Sequence, residues 1–232
     1  MKFEDLKFMS IGGYCVGLYA LGPNRIKGPV DNVLLLNAWA FKLLLEDKYY
    51  NYFITAPKQK YSEIRYNFKD IRIYHNNIED PKYLIELKKR TETLKHFLSD
   101  IKTNKNKYLI FAIPHTFYTN KKLNSELEKC IKYLKEKNIL DKVIFIGSTK
   151  ANNVILPSKV DWMWFDFCLS KTEYNNLYKK YAINYIELSN INLFTAAGQE
   201  AAAKQFKNKV TAFLKEKELQ QKQKNTTYYL YF

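Results

Sequence analysis

The chain has few cysteines and few histidines, and each scarcity excludes a class of protein. Three cysteines occur in 232 residues, and they stand far apart in sequence. They form neither a disulfide framework nor a Cys-x-x-Cys metal motif, so we expect a cytoplasmic protein with no metal and no other cofactor. There are only three histidines, so a reaction that needs an imidazole has few candidate bases.

Long apolar runs and terminal signals are also absent. No stretch of about 18 apolar residues occurs, which excludes a membrane-spanning helix. Residues 1–5 carry two acids where a signal peptide would have its apolar block. No repeat or linker interrupts the chain. We therefore expect a single α/β domain over residues 1–219, followed by a flexible tail over residues 220–232.

What the chain has is a large apolar fraction and a strong positive charge. Hydrophobic residues make up 47% of it and aromatic residues 16%, enough for a substantial core. The formal net charge is +15, concentrated in three predicted helical segments, 82–107, 121–142 and 204–224. Lysines alternate there with Glu and Asn, which is typical of a solvated helix face. A nucleic-acid partner is an alternative that charge alone supports, since no RNA-binding or finger motif is present.

Apolar runs alternate with helical patterns along the chain. The predicted strands are Leu6 to Ile11, Tyr49 to Thr55, Ile71 to Tyr74, Tyr108 to Ile113, Val143 to Ile146 and Tyr185 to Leu188. Trp162 to Leu169 is predicted as a strand or a packed core segment. The predicted helices are Val33 to Leu45, one opened by Asp80-Pro81, Leu123 to Asn138, and one from Thr195 towards Leu219. Uniformly apolar strands separated by helices predict a three-layer α/β/α sandwich with a mainly parallel sheet of about five strands.

The stretch Phe8 to Tyr19 carries the sharpest chemical signal. An apolar strand is broken by Gly12 and Gly13, and Cys15 follows where a helix is predicted to begin. A helix N-terminus favours negative charge, so the thiol there ionises more easily. The Gly pair permits a tight turn and close approach of a substrate, and backbone N–H groups after Gly13 can hold an oxyanion. The alternative is that Cys15 packs as a small apolar residue.

Two histidines are candidate bases because each follows a predicted strand. In a parallel sheet the ligand crevice lies beyond the carboxyl ends of the strands, so Cys15, His75 and His115 are predicted to share one edge. His75 is preferred because Asn76 and nearby acids can orient it, and His115, after Pro114, is a close second. His96, in mid-helix, is expected at the surface.

Asp31 has two predicted roles, and Cys130 has one. Asp31 can orient a base or cap the predicted helix Val33 to Leu45, a cap that Asn32 can also supply. Capping is the role we expect. Cys130 lies near the apolar face of its helix and is predicted to be structural.

Three segments resemble a bacterial and viral family of papain-like cysteine peptidases. They are Ser10 to Cys15, the turn Gly28-Pro29-Val30-Asp31, and Ile73-Tyr74-His75-Asn76 before a Lys/Arg-rich helix. The resemblance implies a Cys nucleophile at Cys15 and a His-Asn pair at His75 and Asn76. The family occurs in surface-polysaccharide gene clusters, so it implies acyl transfer to a glycan as much as proteolysis.

The layout is also similar to that of SGNH (GDSL-type) hydrolases and acyltransferases and of flavodoxin-like sheets. Gly13-Tyr14-Cys15 stands where those hydrolases have Gly-Asp-Ser, and residues 190–199 resemble their C-terminal Asp-x-x-His block. Asn190 and Leu193 occupy the positions of the Asp and the His. This resemblance implies either that His75 or His115 supplies the base, or that the chain binds without catalysis.

The sequence therefore predicts a cysteine-dependent acyl-transfer enzyme, either a hydrolase or an acyltransferase. Cys15 is the nucleophile, His75 or His115 the base, and Gly12, Gly13, Asp31 and Asn76 contribute to the oxyanion or binding site. The expected substrate is a small molecule or a glycan, and the basic surface favours an anionic one. The alternatives are a non-catalytic module that binds a sugar, a nucleotide or another anionic partner, and a basic nucleic-acid-binding protein.

Overall fold

The computed structural model describes residues 2–12, 21–31, 33–35, 37–62, 65–67, 71–74, 78–112, 121–148, 179–188 and 196–229. The strands within these segments are β1 Lys7–Gly12, β2 Arg25–Ile26, β3 Val33–Leu35, β4 Gln59–Ser62, β5 Arg65–Asn67, β6 Ile71–Tyr74, β7 Lys107–Ala112, β8 Val143–Ser148 and β9 Asn184–Leu188. The α-helices are α1 Ala38–Leu45, α2 Tyr49–Thr55, α3 Pro81–Asp100, α4 Lys121–Glu136 and α5 Ala196–Tyr229.

A five-stranded sheet organises the structure, with strand order β2-β1-β7-β8-β9. Each neighbouring pair in it is parallel. Met9 of β1 lies beside Leu109 of β7, and Leu109 lies beside Val143 of β8. The predicted fold class, α/β with a mainly parallel sheet of about five strands, is confirmed.

Helices cover both faces of this sheet, because side chains alternate along its central strands. Met9 and Phe111 belong to a buried cluster that α1, α2, α3 and α4 complete. Phe8 and Ile110, their alternates on the same strands, belong to a second cluster that α5 completes. The arrangement is a three-layer sandwich in which β1, β7 and β8 have no solvated face, which is why they read as apolar runs.

Helix α5 covers the second face with side chains spaced four residues apart. Ala202, Phe206, Val210 and Leu214 are buried, whereas Leu219 is exposed. The spacing matches one face of an α-helix. The helix continues to Tyr229, past Leu219 where the sequence predicted its end, so residues 220–229 are helical.

The strand predictions miss a second sheet. Strands β3, β6, β5 and β4 form an antiparallel sheet in that order, and β6, the predicted strand Ile71 to Tyr74, belongs to it. The predicted helix Val33 to Leu45 is wrong over its first part, since Val33–Leu35 is β3. Helix α1 begins only at Ala38. Its cap is Asn37, whose side-chain oxygen accepts a 2.9 Å hydrogen bond from the Ala40 N–H.

The predicted strand Tyr49 to Thr55 is also wrong, because this segment is helix α2. Tyr49 and Phe53 are both fully buried, and they lie four residues apart on one helical face. Short apolar runs do not distinguish a buried helix from a buried strand by pattern alone.

Other local predictions are confirmed. Asp80 caps α3 by accepting a 2.9 Å hydrogen bond from the Lys82 N–H, and Pro81 is the first helical residue. Cys130 is buried, as a structural cysteine should be, and His96 is exposed. The predicted segment Trp162 to Leu169 lies outside the described residues.

Two buried asparagines fix the edge strands of the parallel sheet. The Asn24 amide donates to the carbonyl oxygens of Phe3 and Leu6, at 2.6 and 3.0 Å, just before β2. At the opposite edge, the Asn184 amide donates to the carbonyl oxygens of Asp141 and Val143, at 2.9 and 3.0 Å. Each amide is itself buried, and its hydrogen bonds to backbone carbonyl oxygens satisfy its donors.

The Phe206 side chain is expected to be the main contribution of α5 to stability. It is fully buried and contacts the rings of Phe8 and Phe3, with ring centroids 5.3 and 6.2 Å apart. Phe206→Ala should therefore lower the free energy of unfolding by about 3–5 kcal/mol in urea denaturation. The control Leu219→Ala, on the same helix but 61% exposed, should change it by less than about 0.5 kcal/mol. Equal effects of the two substitutions would contradict the packing of α5 on the sheet.

Candidate active site at the carboxyl edge of the parallel sheet

The carboxyl ends of β1 and β7 meet at one edge of the parallel sheet. The two strands pair from Lys7 beside Lys107 to Gly12 beside Phe111. Gly12 is the last residue of β1, and Ala112 is the last residue of β7. Cys15 and His115 each stand three residues further along the chain, and both lie outside the described residues.

Gly12 gives this edge an unusual backbone. Its φ is 152°, a region that side-chain-bearing residues rarely adopt. The pairing of β1 with β7 also shifts register between Ser10 and Gly12. Such irregularities redirect a strand and are frequent beside functional sites. The prediction that the chain turns at Gly12 agrees with this conformation, and Gly13 lies outside the described residues.

The strand that precedes His75 does not belong to the sheet in which it was expected. Strand β6, which precedes it, belongs to the antiparallel sheet, so the argument that His75 shares an edge of the parallel sheet is wrong. Ile73 pairs with Val33, so β6 ends beside the start of β3, which begins two residues after Asp31. His75 and Asn76 lie outside the described residues, and their catalytic roles stay predictions.

The turn that follows β2 packs directly against β1. A Cβ atom on Gly28 would lie 3.0 Å from the Ser10 carbonyl oxygen and 3.2 Å from Met9 Cγ. Backbone therefore approaches backbone at Gly28, where a larger residue would displace the turn. The turn is closed by a 3.4 Å hydrogen bond from the Asp31 N–H to the Gly28 carbonyl oxygen. Its last residue, Asp31, is held against the carboxyl edge.

Asp31 is a buried ion-pair residue, and the prediction that it caps a helix is wrong. Its side chain is 1% exposed; Oδ2 accepts a hydrogen bond from Arg25 Nη2 and lies 4.0 Å from Arg90 Nη1. Residues 33–35 form a strand, so no helix begins where the cap was expected. The second predicted role of Asp31, orienting a base, stays a prediction, because His75 and His115 lie outside the described residues.

The pKa values in this cluster are governed by burial. Burial raises the pKa of Asp31 even though Arg25 and Arg90 oppose it. Burial likewise raises the pKa of Tyr83, which lies near Asp31 and Arg90. Within the described segments, Asp31 Oδ1, Arg25 Nε and the Tyr49 hydroxyl are buried and have no hydrogen-bond partner. Asp31, Arg25 and Arg90 therefore support the turn, but the burial of their charges costs desolvation free energy.

Sequence reasoning missed Arg25 and Arg90. Arg25 lies in the short edge strand β2, and Arg90 lies on α3 among lysines, where it also binds Glu86 at 3.0 Å. A pairing between residues far apart in sequence leaves no local pattern. The one available signal was Asp31 itself, a charged residue inside an otherwise apolar turn that requires a partner once buried.

The lysines of α4 are distributed as expected for a solvated helix face. Lys129 pairs with Glu126 at 2.5 Å, and Lys132 and Lys180 pair with Glu128 at 3.8 and 2.6 Å. Carboxylates therefore pair at short range with two lysines of α4, Lys129 and Lys132, and with Lys180, which precedes β9. A continuous phosphate-binding stripe requires unpaired cations in a row.

The contribution of the Asp31 side chain to the free energy of unfolding is expected to change with pH. Its folded-state pKa is raised by burial, so the folded protein binds more protons than the unfolded chain between the two pKa values. We compare the free energy of unfolding of the wild type with that of Asp31→Asn. The wild-type value minus the variant value should therefore be greatest in acid. It should decrease as the pH rises from about 4 through the folded-state pKa.

Urea unfolding of both proteins across a pH series measures this difference. Asp47→Asn is the matched control, because Asp47 is a partly exposed carboxylate paired with Lys95 at 2.7 Å, and such surface pairs contribute little to stability. A difference that increases with pH at Asp31 would mean that Arg25 and Arg90 outweigh burial.

Comparisons with known proteins supply no family for this chain. No family model matches it, no curated protein matches it, and no solved structure matches it.

Among the helices of the described segments, none combines the length and the apolar character that crossing a bilayer requires.

Proposed function

We propose that the protein is a cysteine-dependent acyl-transfer enzyme whose nucleophile is Cys15. One observation carries the proposal: β1 and β7 are adjacent parallel strands that end together, and a cysteine and a histidine follow those ends at equal spacing. Adjacent strands are about 4.8 Å apart. Three residues of chain span at most about 10 Å, so the thiol and the imidazole are within reach of each other.

The pairing of β1 with β7 favours His115 as the base. His115 follows β7, the strand hydrogen-bonded to β1, whereas His75 follows a strand of the other sheet. A base must come within hydrogen-bonding distance of the thiol that it deprotonates. His75 remains the alternative base, because β6 ends beside the start of β3 near Asp31.

The proposed reaction has two steps. In the first, the imidazole takes the proton of Cys15 Sγ, the sulfur attacks the acyl carbon, and the leaving group departs with that proton, leaving a thioester. In the second, water or an acceptor hydroxyl gives its proton to the imidazole and attacks the thioester. The acyl group leaves on oxygen, and the thiol regains its proton. Backbone N–H groups after Gly13 are proposed to hold the oxyanion in both steps.

The substrate class is proposed from surface charge. The net charge of +15 favours an anionic substrate or acyl donor, and a glycan is the proposed acceptor. Asp31, with Arg25 and Arg90, acts as a support that positions the turn beside β1 and does not itself touch the reacting atoms.

A binding module without catalysis is the second candidate. Asn190 and Leu193 stand where the Asp and His of the similar SGNH block are expected, and this supports a chain that has lost its acid–base pair. The two candidates differ in what they require of the Cys15 thiol. Catalysis requires an ionised thiol, whereas binding alone does not.

Alkylation by iodoacetamide at about pH 6 tests whether Cys15 is activated, because only the thiolate reacts. Peptide mass spectrometry should show Cys15 modified at least about tenfold faster than free glutathione at that pH, as a depressed pKa requires. Cys130 is the internal control, since its thiol is buried and burial raises its pKa. A Cys15 rate no greater than that of glutathione would remove the enzymatic proposal.

The base is identified by repeating the alkylation on two variants. His115→Ala should slow the labelling of Cys15 at about pH 6 by about tenfold, because the imidazolium that stabilises the thiolate is gone. His75→Ala should leave the rate unchanged. The opposite result would assign the base to His75, and two unchanged rates would exclude an imidazole partner.

A further inference from the structure

Lysines gather at the amino edge of the parallel sheet, opposite the edge where Cys15 and His115 follow their strands. Strand β1 begins at Lys7, beside Lys107 at the start of β7, and Lys142 directly precedes β8. Neighbouring strands are about 4.8 Å apart. The topology of the sheet therefore brings lysines from distant parts of the sequence to one edge.

Hydrogen bonds place four of the lysines at this edge in a line, which we call the amino-edge row: Lys7, Lys105, Lys142 and Lys217. The Lys7 N–H donates to the Asn106 carbonyl oxygen at 2.8 Å, so the loop that carries Lys105 lies beside β1. The Lys142 ammonium donates to the Asn104 carbonyl oxygen of the same loop at 2.9 Å. The Lys217 ammonium, from α5, donates to the Asp141 carbonyl oxygen at 3.3 Å, next to Lys142. The row therefore runs from β1 across β7 and β8 to α5.

The amino-edge row lacks short-range counterions. Within the segments that the structure describes, no carboxylate oxygen lies within 4.0 Å of any of its four ammonium groups. Lys107 shares the edge but binds Asp100 at 2.7 Å, so it is not counted in the row. Lys129 and Lys132 of α4 also bind carboxylates. The row is therefore a line of unpaired cations, which is what a phosphate-binding stripe requires.

Two ammonium groups of the row are held in partly buried positions. Lys142 lies over the ring of Tyr108, 5.3 Å from its centroid, and Lys217 lies over the ring of Phe213, at 4.7 Å. Burial lowers the pKa of both lysines. Neighbouring charges add to this shift, since Lys105 lowers the pKa of Lys142 and Lys142 lowers that of Lys217. The row therefore contains cations that repel one another, and a bound anion would stabilise them.

The charge and shape of the row favour a linear polyanion. Asp141 raises the pKa of Lys142 and Lys217, and Glu218 follows Lys217 on α5, but four lysines against two carboxylates leave an excess of positive charge. Cations in a line can contact successive phosphates of one strand and release their counterions. A lipid surface is less suited, because it requires an apolar face. Of the large apolar side chains exposed in the described segments, only Leu219 lies on α5.

We propose that the amino-edge row binds the phosphodiester backbone of a nucleic acid without reading its sequence. Each lysine contacts one phosphate, so about four phosphates occupy the row, and such contacts carry no base information. The inference does not rest on the proposed function. The row lies at the other end of strands such as β1, whose six residues span about 20 Å.

Fluorescence anisotropy of a labelled oligo(dT) strand, measured over a series of salt concentrations, tests the row. The logarithm of the wild-type binding constant should fall with the logarithm of salt concentration with a slope of about −3, as four single-strand contacts require. The double variant Lys7→Ala/Lys105→Ala should reduce the steepness by about 1.4, because two contacts are lost. Both lysines are exposed, so the fold is retained. The double variant Lys7→Arg/Lys105→Arg keeps both charges and should keep the slope.

The matched control is the double variant Lys129→Ala/Lys132→Ala. It removes the same charge from two lysines of α4 that bind carboxylates outside the row. Its slope should equal that of the wild type, since paired surface lysines are not expected to contact the strand.

Four outcomes decide the proposal. A slope that falls only in the Lys7→Ala/Lys105→Ala variant supports it, with oligo(dT) or with a duplex of the same length. No binding of either probe at low salt overturns it. Equal loss of slope in both alanine variants also overturns it, because binding would then follow net charge and not the row. Row-dependent sedimentation with phosphatidylserine vesicles, without binding of oligo(dT) or duplex, assigns the row to a lipid surface instead.

Discussion

Burial of the central strands on both faces is the constraint on which the structure depends. Side chains of β1, β7 and β8 alternate between a layer of four helices and the single helix α5, and both sets are apolar. Such strands have no side-chain position left for chemistry. Polar and reactive groups must therefore stand beyond the ends of the strands. This is why the thiol and the imidazole that we propose for the carboxyl edge matter more to our account than the charged helix faces.

The same constraint explains the buried charge at Asp31. The turn Gly28 to Asp31 must lie against β1 closely enough that Gly28 touches the Ser10 backbone, and this places Asp31 inside. A buried carboxylate is stable only with partners, which Arg25 and Arg90 supply from β2 and α3. The pair does not fully offset the cost of burial, as the raised pKa of Asp31 shows. The cluster ties three elements together beside the proposed site.

The sequence predicts those features that arise from local pattern. Both-faced burial makes β7 a continuous apolar run, and Asp80-Pro81 marks the start of α3 by a local cap. It does not predict features set by distant contacts. The local pattern predicts a strand at Tyr49 and Phe53 because α2 is short and its apolar residues are dense. The antiparallel sheet was missed because its strands have three or four residues each and depend on pairing for their form.

The candidate site likewise has features that follow from local pattern and features that depend on distant contacts. The sequence predicts Cys15 as the nucleophile and His75, with His115 second, as the base, because the end of an apolar run marks where a strand stops; these roles stay predictions. The partners of Asp31 are not predicted, since Arg25 and Arg90 lie in separate elements.

The most direct test is a crystal structure that gives the separation between Cys15 Sγ and the nearest imidazole nitrogen. Our account predicts about 3–4 Å to His115. A sulfur sealed in the core, with neither His115 nor His75 in contact, would contradict it.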